Sequence, residues 1–237
     1  MSTGMTIPSD KPEATLKQGL RQIPGASGQA VVSRETTAMR WMTDRGICIA
    51  AGASTLALYQ RLSAAGLPGV RELVPADGML LVVLEPGRAP PPELEALAAD
   101  LPGPQVLPVA STRQHRIKVR FAGEDLPEVA ARAGLDTDGL IGLMCEQTLR
   151  VQFLGFQPGF AYLGGLPPLL HLPRRAKPRT SVPAGSLALA GGYCGIYPAA
   201  GPGGWHLLGI AETGLFDPAA DPPARLQPGD TVRLVAA

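Results

Sequence analysis

Between Phe153 and Trp205 the chain reads FLGFQPGFAYLGGLPPLLHLPRRAKPRTSVPAGSLALAGGYCGIYPAAGPGGW. Glycine and proline recur every few positions, so regular structure here is confined to short strands between turns. The string is not low-complexity. Phe153, Phe156, Phe160, Tyr162, Tyr193, Tyr197 and Trp205 stand at set places among the turn residues, which a disordered linker would lack. A backbone led through many specific turns over a packed surface is how a site is built from loops on a β scaffold. The whole chain shares this bias. Its 237 residues include 29 Gly and 25 Pro, with 45% hydrophobic and only 17% charged residues, a mixture that favours strands and turns over a helix bundle.

Other classes are disfavoured by what the sequence lacks. A net charge of +1 gives no bulk attraction to nucleic acid or to a membrane surface. No apolar run approaches the roughly 18 residues of a membrane span. Met1 to Gln29 carry no apolar signal-peptide core, so a cytoplasmic location is expected. Cys48, Cys145 and Cys194 are far apart and odd in number, which indicates buried or half-buried thiols rather than disulfides or zinc ligands. His115, His171 and His206 show no ligand spacing, so no metal is expected. There is no P-loop, and Ser186 sits in Ala-Gly-Ser-Leu-Ala rather than in a nucleophile elbow.

Periodicity divides the chain. Residues 1–28 are polar and aperiodic and read as a mobile tail. Residues 29–108 read as a small α+β domain: a strand at Arg45–Ala51, a helix capped by Ser54 and running through Ala65 with Gly66 ending it, a strand at Val70–Val74, a strand at Met79–Leu84 buried on both faces, and a helix at Glu93–Leu101. The helices are expected on one sheet face. Residues 109–237 read as a β-barrel with two helices. The strand candidates are Arg116–Phe121, Val151–Leu154, Leu187–Ala190, His206–Ile210 and Thr231–Val235, the last fed by a Pro228-Gly229-Asp230 turn. The helices are Leu126–Ala133 and one capped by Asp136 or Thr137 that runs to about Leu149.

A basic cluster, Arg174, Arg175, Lys177 and Arg179, is bracketed by Pro173 and Pro178. Arg174 and Arg179 are suited to hold a carboxylate or phosphate bidentately; a solvated loop or an internal ion pair is the competing explanation. In Val182-Pro183-Ala184-Gly185-Ser186 small residues would let a ligand approach the backbone N–H groups, and Ser186 adds a hydroxyl. Gly201-Pro202-Gly203-Gly204 is expected to need unusual backbone angles beside Trp205. The substrate-binding set read from these residues is Arg174, Arg179, Gly185 and Ser186, with Phe160, Tyr162 and Tyr197 as walls. No catalytic residue is assigned.

Several strings together resemble the KipI / allophanate hydrolase subunit 1 family. They are Gly155-Phe156-x-Pro158-Gly159-Phe160-x-Tyr162-Leu163, the run from Pro173 to Ser186, Gly195-Ile196-Tyr197-Pro198, Pro202-Gly203-Gly204-Trp205, Leu215-Phe216-Asp217-Pro218 and Pro228-Gly229-Asp230. Their order and spacing agree from about 151 to 235; the region from about 45 to 110 agrees only in pattern. The resemblance implies an α+β N-terminal domain followed by a cyclophilin-like β-barrel, without prolyl isomerase activity. It implies kinship with the B component of the bacterial ATP-dependent 5-oxoprolinase and with subdomains C and D of the carboxyltransferase domain of urea carboxylase. It further implies a non-autonomous hydrolase subunit acting on a small cyclic amide or ureido substrate, with ATP bound by the assembled complex. The implied partners are an allophanate hydrolase subunit 2-type homologue and a LamB/YcsF-type subunit. The alternatives are a regulatory protein that inhibits a histidine kinase and a catalytically silent paralogue. Departures from the family pattern cluster. A His, Glu and Tyr implied before the Gly-Phe motif fall on Met144, Thr148 and Leu149, a Gly-Arg/His-Thr falls on Gly209-Ile210-Ala211, and a Tyr-Arg-Ser falls on Ala76-Asp77-Gly78. Most of these changes remove a titratable or hydrogen-bonding group.

Overall fold

The computed structural model describes residues 39–100, 112–212 and 214–237. The tail expected at 1–28, and the domain limits at 29 and 108, lie outside the described residues. Strands β1 (Met39–Trp41), β2 (Gly46–Ala50), β3 (Val70–Ala76) and β4 (Met79–Leu84) form an antiparallel sheet in the order β1-β2-β4-β3. Alternation sets which side of β4 is covered: Leu80, Val82 and Leu84 are fully buried, while Leu81 and Val83 are half-buried and Met79 is exposed. The run expected to be buried on both faces is therefore sealed on one. The cause is that α1 (Thr55–Ala65) and α2 (Pro92–Ala99) bring Leu58, Leu62, Leu94 and Ala98 to a single core with these residues. Each buried leucine there stabilises by roughly 1.5–3 kcal/mol.

The ends of these helices follow local chemistry. Ser54 stands at the N-cap of α1, but its side chain makes no capping bond; the hydroxyl of Thr55 donates to the Gly52 carbonyl at 2.8 Å. Gly66, in the left-handed region, ends α1 with its N–H donating to the Leu62 carbonyl. Pro92 opens α2, which ends at Ala99.

The second half closes into a seven-stranded barrel. Its strands are β5 (Gln114–Arg120), β6 (Leu149–Leu154), β7 (Ala161–Gly164), β9 (Ser186–Ala190), β10 (Tyr193–Ile196), β12 (His206–Ala211) and β13 (Thr231–Ala236), in the order β10-β7-β6-β13-β5-β12-β9. β9 returns to pair with β10 and closes the ring, which removes free sheet edges. β13 runs parallel to β5 from Thr231↔Gln114 to Ala236↔Val119, and all other neighbours are antiparallel. The buried Asp230 fixes the entry to β13: it accepts from the N–H groups of Arg113 and Gln227 and lies 2.9 Å from His115 Nε2. Leu149, Val151, Leu163, Leu187, Leu189, Cys194, Leu208 and Leu234 fill the core.

Helices α3 (Leu126–Arg132) and α4 (Thr137–Glu146) add Val129, Leu140 and Met144 to that core. Asp136 caps α4 as expected, accepting from the Gly139 N–H at 2.7 Å. The helix stops three residues short of the expected Leu149, because Gln147 is already extended and Leu149 opens β6. A small ribbon pairs β8 (Arg179–Val182) with β11 (Gly201–Gly203). An α+β N-terminal half followed by a cyclophilin-like β-barrel is thus the architecture. No described helix is long and apolar enough to cross a membrane.

Candidate functional site

A register shift in β6 creates one wall of the candidate site. Val151 pairs with Leu163 inside the barrel, but a bulge follows, and Phe153 then pairs with Tyr162. Simple alternation would leave Phe153 on the same side as Val151; the extra residue re-aims it. The rings of Phe153 and Tyr162 stack at 4.3 Å between centroids and 23° between planes. Tyr193 meets both edge-on at 5.5 and 5.7 Å, and Trp205 meets Tyr162 at 5.6 Å. These rings border a cleft of about 440 Å³ lined also by Asp77, Pro173, Arg174, Gly191 and Gly192. The volume lies within the range of small-molecule sites.

Asp77 reaches the cleft from the first sheet. It belongs to the two-residue Asp77-Gly78 loop between Ala76 and Met79, where Gly78 has φ +72. The Gly78 carbonyl accepts from the N–H groups of Ala51 and Gly52, which holds the loop in place. The Tyr193 hydroxyl donates to Asp77 Oδ1 at 2.8 Å. This bond stands between the cleft and a second cavity of about 330 Å³ lined by Gly52, Thr55, Leu56 and Gln152, with Asp77, Phe153 and Tyr193 common to both. Burial, then the Asp77 hydrogen bond and charge, push the Tyr193 pKa up to about 12, so the phenol stays protonated at neutral pH.

The opposite rim is the basic loop, and its charges are not equivalent. Asp125, only 4% exposed, accepts from Arg175 Nη1 at 2.6 Å, from Arg179 Nη2 at 3.0 Å and from the Leu207 N–H at 2.7 Å. Burial alone would raise the Asp125 pKa. Hydrogen bonds from Arg179 and Leu207, with the charges of Arg179 and Arg175, outweigh it and hold the carboxyl below its ordinary value of 3.8. Arg179 also pairs with Glu124. The Arg175 N–H donates to the Gly204 carbonyl at 2.8 Å, and His206 Nε2 lies 3.0 Å from the Pro173 carbonyl. The loop is therefore bound on two sides, and Arg174, exposed and without an ion pair among the described residues, projects into the cleft lining. Asp125, Glu128 and His206 bring possible ligand atoms within 4.8 Å of one another, but Asp125 already faces two guanidinium groups.

Of the seven residues expected to bind substrate, Arg174 and Tyr162 line this cleft. Phe160 and Tyr197 do not; at 1% and 2% exposure they back the wall, with Phe160 edge-on to Tyr162, Trp205 and Tyr197. Arg179 is committed to Glu124 and Asp125, so for it the internal ion pair is what the structure has. The Gly185 N–H, expected to face a ligand, donates to the Tyr197 carbonyl at 2.7 Å, and the Ser186 N–H reaches the Pro183 carbonyl. Ser186 itself is 1% exposed, and its hydroxyl has no partner among the described residues. The glycines of 201–204 do not occupy the positive-φ region. Gly203 is needed for space instead, because a Cβ there would lie 2.2 Å from the Tyr197 hydroxyl oxygen, whereas one on Gly204 would meet nothing closer than 3.7 Å. Sequence reasoning left Asp77, Phe153, Tyr193 and Trp205 out of the site. An Asp-Gly pair between two strand runs was the available signal for the first, but nothing local says that its turn meets the barrel.

The arrangement can stack a flat ligand on the aromatic wall, hold an anionic group at Arg174 and accept a hydrogen bond at Asp77. Its polar side chains are Arg174, Asp77 and the hydroxyls of Tyr162 and Tyr193.

The carboxyltransferase domain, subdomain C and D family matches residues 32–226, and the chain belongs to that family. Among curated relatives, the B component of 5-oxoprolinase from Escherichia coli O157:H7 is 54% identical over 113 residues, which are 48% of this chain and 52% of that protein. The chain spans about half the length of the curated relatives it matches. Among solved structures, TTHA0988 is 40% identical with a TM-score of 0.68, covering 81% of this chain and 40% of that one. A conserved uncharacterized protein, PH0987 from Pyrococcus horikoshii, is 32% identical with a TM-score of 0.51, covering 84% of this chain and 97% of that one.

Proposed function

We propose that this chain is a non-autonomous subunit of an ATP-dependent amide hydrolase of the 5-oxoprolinase type, acting on a small cyclic amide or ureido substrate. The observation that carries the reading is its 54% identity over 113 residues to a 5-oxoprolinase component; the aromatic cleft with Arg174 supports it. Hydrolysis of an unstrained amide coupled to ATP proceeds by phosphoryl transfer to the amide oxygen with release of ADP; water then attacks the activated carbon, the tetrahedral adduct expels the amide nitrogen as an amine with cleavage of the C–N bond, and a second water hydrolyses the resulting acyl phosphate to carboxylate and phosphate. Such a route needs the substrate held flat and its charge fixed, with cationic and N–H donors facing the developing negative charge. Arg174, Asp77 and the Phe153–Tyr162–Trp205 wall suit the holding. ATP and the remaining donors belong in this reading to the assembled complex, with an allophanate hydrolase subunit 2-type homologue and a LamB/YcsF-type subunit as partners.

One observation favours a second reading, in which the chain is a catalytically silent scaffold or a binding protein directed at a histidine kinase. Met144 and Leu149, which stand where the family resemblance implies titratable groups, are fully buried in the barrel core. No proton can be exchanged there. Co-expression with the subunit 2-type and LamB/YcsF-type proteins of the same genome, followed by a coupled ATP assay with 5-oxoproline, separates the readings. Turnover that requires this chain and falls at least tenfold with Arg174→Gln supports the hydrolase. Turnover indifferent to Arg174→Gln supports the scaffold. A stable complex formed only with a histidine kinase supports the regulator.

A further inference from the structure

The cleft carries one cation and one anion on different walls. Arg174 comes from the basic loop of the barrel, and Asp77 from the β3–β4 turn of the first sheet. Between them lies an aromatic surface, Phe153, Tyr162 and Trp205, with no other charged side chain in the lining. Asp77 gives one carboxylate oxygen to the Tyr193 hydroxyl, and a carboxylate has further acceptor capacity on both oxygens. Arg174 has no ion pair among the described residues, while its neighbours Arg175 and Arg179 are neutralised by Asp125, Glu124 and Glu128. The field across the cleft therefore runs from a free guanidinium to a carboxylate, and it is not symmetric.

We propose that Asp77 is a specificity-determining residue: with Arg174 it makes the cleft select ligands bearing one carboxylate at one end and N–H donors at the other, and reject dicarboxylates of the same length. The inference rests on the cleft being the ligand site of the proposed function, but not on hydrolysis taking place there. An amide, ureide or ammonium end would donate to Asp77. A second carboxylate would meet Asp77 as a like charge, and juxtaposed like charges suppress binding. The Tyr193–Asp77 bond fixes the acceptor, so the discrimination does not depend on a mobile side chain.

The test uses the full chain and two ligands of similar length, N-carbamoylglycine and glutarate, titrated by ligand-observed NMR and calorimetry. N-carbamoylglycine is expected to bind at least about tenfold more tightly than glutarate, which is about 1.4 kcal/mol. Asp77→Asn should reduce that ratio towards one, and Asp77→Lys should invert it. Arg174→Gln should weaken both ligands together. Asp77 is exposed and lies in a two-residue turn, so the variants are expected to fold; thermal melting checks this, and the isosteric Asp77→Asn carries the test if Asp77→Lys melts early. Equal affinity for both ligands, no binding of either, or a ratio unmoved by Asp77→Asn overturns the proposal. Binding with the predicted ratio but no turnover in the assembled complex would leave this selectivity standing and remove only the hydrolase reading.

Discussion

Replacing Asp125 should cost far more than replacing any other acid of the basic-loop network. Its carboxylate is the shared acceptor for Arg175, Arg179 and the Leu207 N–H, at 2.6, 3.0 and 2.7 Å. Asp125→Ala leaves the Leu207 N–H buried without an acceptor, at about 1–3 kcal/mol. It also strips two guanidinium groups of their common partner. Arg179 keeps Glu124, and Arg175 keeps Glu128 at 3.9 Å, so the arginines lose part of their pairing and not all of it. The expected destabilisation is about 3–4 kcal/mol, near the low end for breaking a buried pair. Glu124→Ala is the control: its side chain is 63% exposed, and such pairs contribute about 0–1 kcal/mol. Urea unfolding followed by tryptophan fluorescence reads both variants. The chain has two tryptophans, Trp41 and Trp205, and in a Trp41→Phe background the signal comes from Trp205, whose carbonyl faces Arg179. The linkage has a definite sign. The folded pKa of Asp125 is depressed, so its contribution is fully present above the ordinary value of 3.8 and is lost as pH falls through the folded value. The gap between wild type and Asp125→Ala should therefore shrink as pH drops below that point. A loss under about 1 kcal/mol, a loss equal to that of Glu124→Ala, or a gap that does not narrow in acid would refute the hub.

Gly123→Ala would place a Cβ 2.3 Å from the Leu207 carbonyl oxygen and 2.4 Å from the Leu208 carbonyl carbon. Backbone cannot yield cheaply, so a loss of about 3 kcal/mol or more is expected by denaturation, whereas Gly142→Ala, exposed in α4 with nothing within 4 Å of the new Cβ, should stabilise by up to about 1 kcal/mol. Tyr193 should ionise near pH 12. Because its folded pKa is raised, the stability linked to its proton is complete below 10.0 and lost as pH rises through about 12; in Asp77→Asn the phenol should ionise earlier, and superimposable tyrosinate absorbance titrations would contradict the bond. Arg174→Gln should leave stability within about 0.5 kcal/mol of wild type, as for a surface side chain without partners, and a thermal melt checks that its effect on ligands is not one on folding.

Where local pattern decided the structure, the sequence was legible. Leu187–Ala190 and Thr231–Val235 are strands because turns isolate short apolar runs, and Asp136 caps α4 because its oxygen reaches the Gly139 N–H within one turn. What stayed hidden depends on distant partners. Tyr193–Ile196 is a strand because Cys194 sits between Leu189 and Leu163, not because four residues declare it. Whether Arg179 is a ligand-binding cation or half of an internal ion pair stays open in the sequence until Glu124 and Asp125, more than fifty positions earlier, arrive beside it. The Gly185 N–H reads as available until the Tyr197 carbonyl takes it. The bulge after Val151 turns Phe153 outward against the period of its own strand. The family strings include the loops that border the cleft, but its far wall, Asp77, lies in the half of the chain where the resemblance is only one of pattern.

In the proposed function, this chain holds the substrate of an ATP-coupled amide hydrolase in the cleft between Arg174 and Asp77. The most direct measurement is the steady-state rate of 5-oxoproline-dependent ATP hydrolysis by the assembled complex, with wild type and Arg174→Gln compared across substrate concentration. Turnover is expected to require this chain, with a KM raised at least about tenfold in Arg174→Gln, the loss of about 1.4 kcal/mol of binding, and with the complex intact. Turnover with an unchanged KM in Arg174→Gln would contradict it.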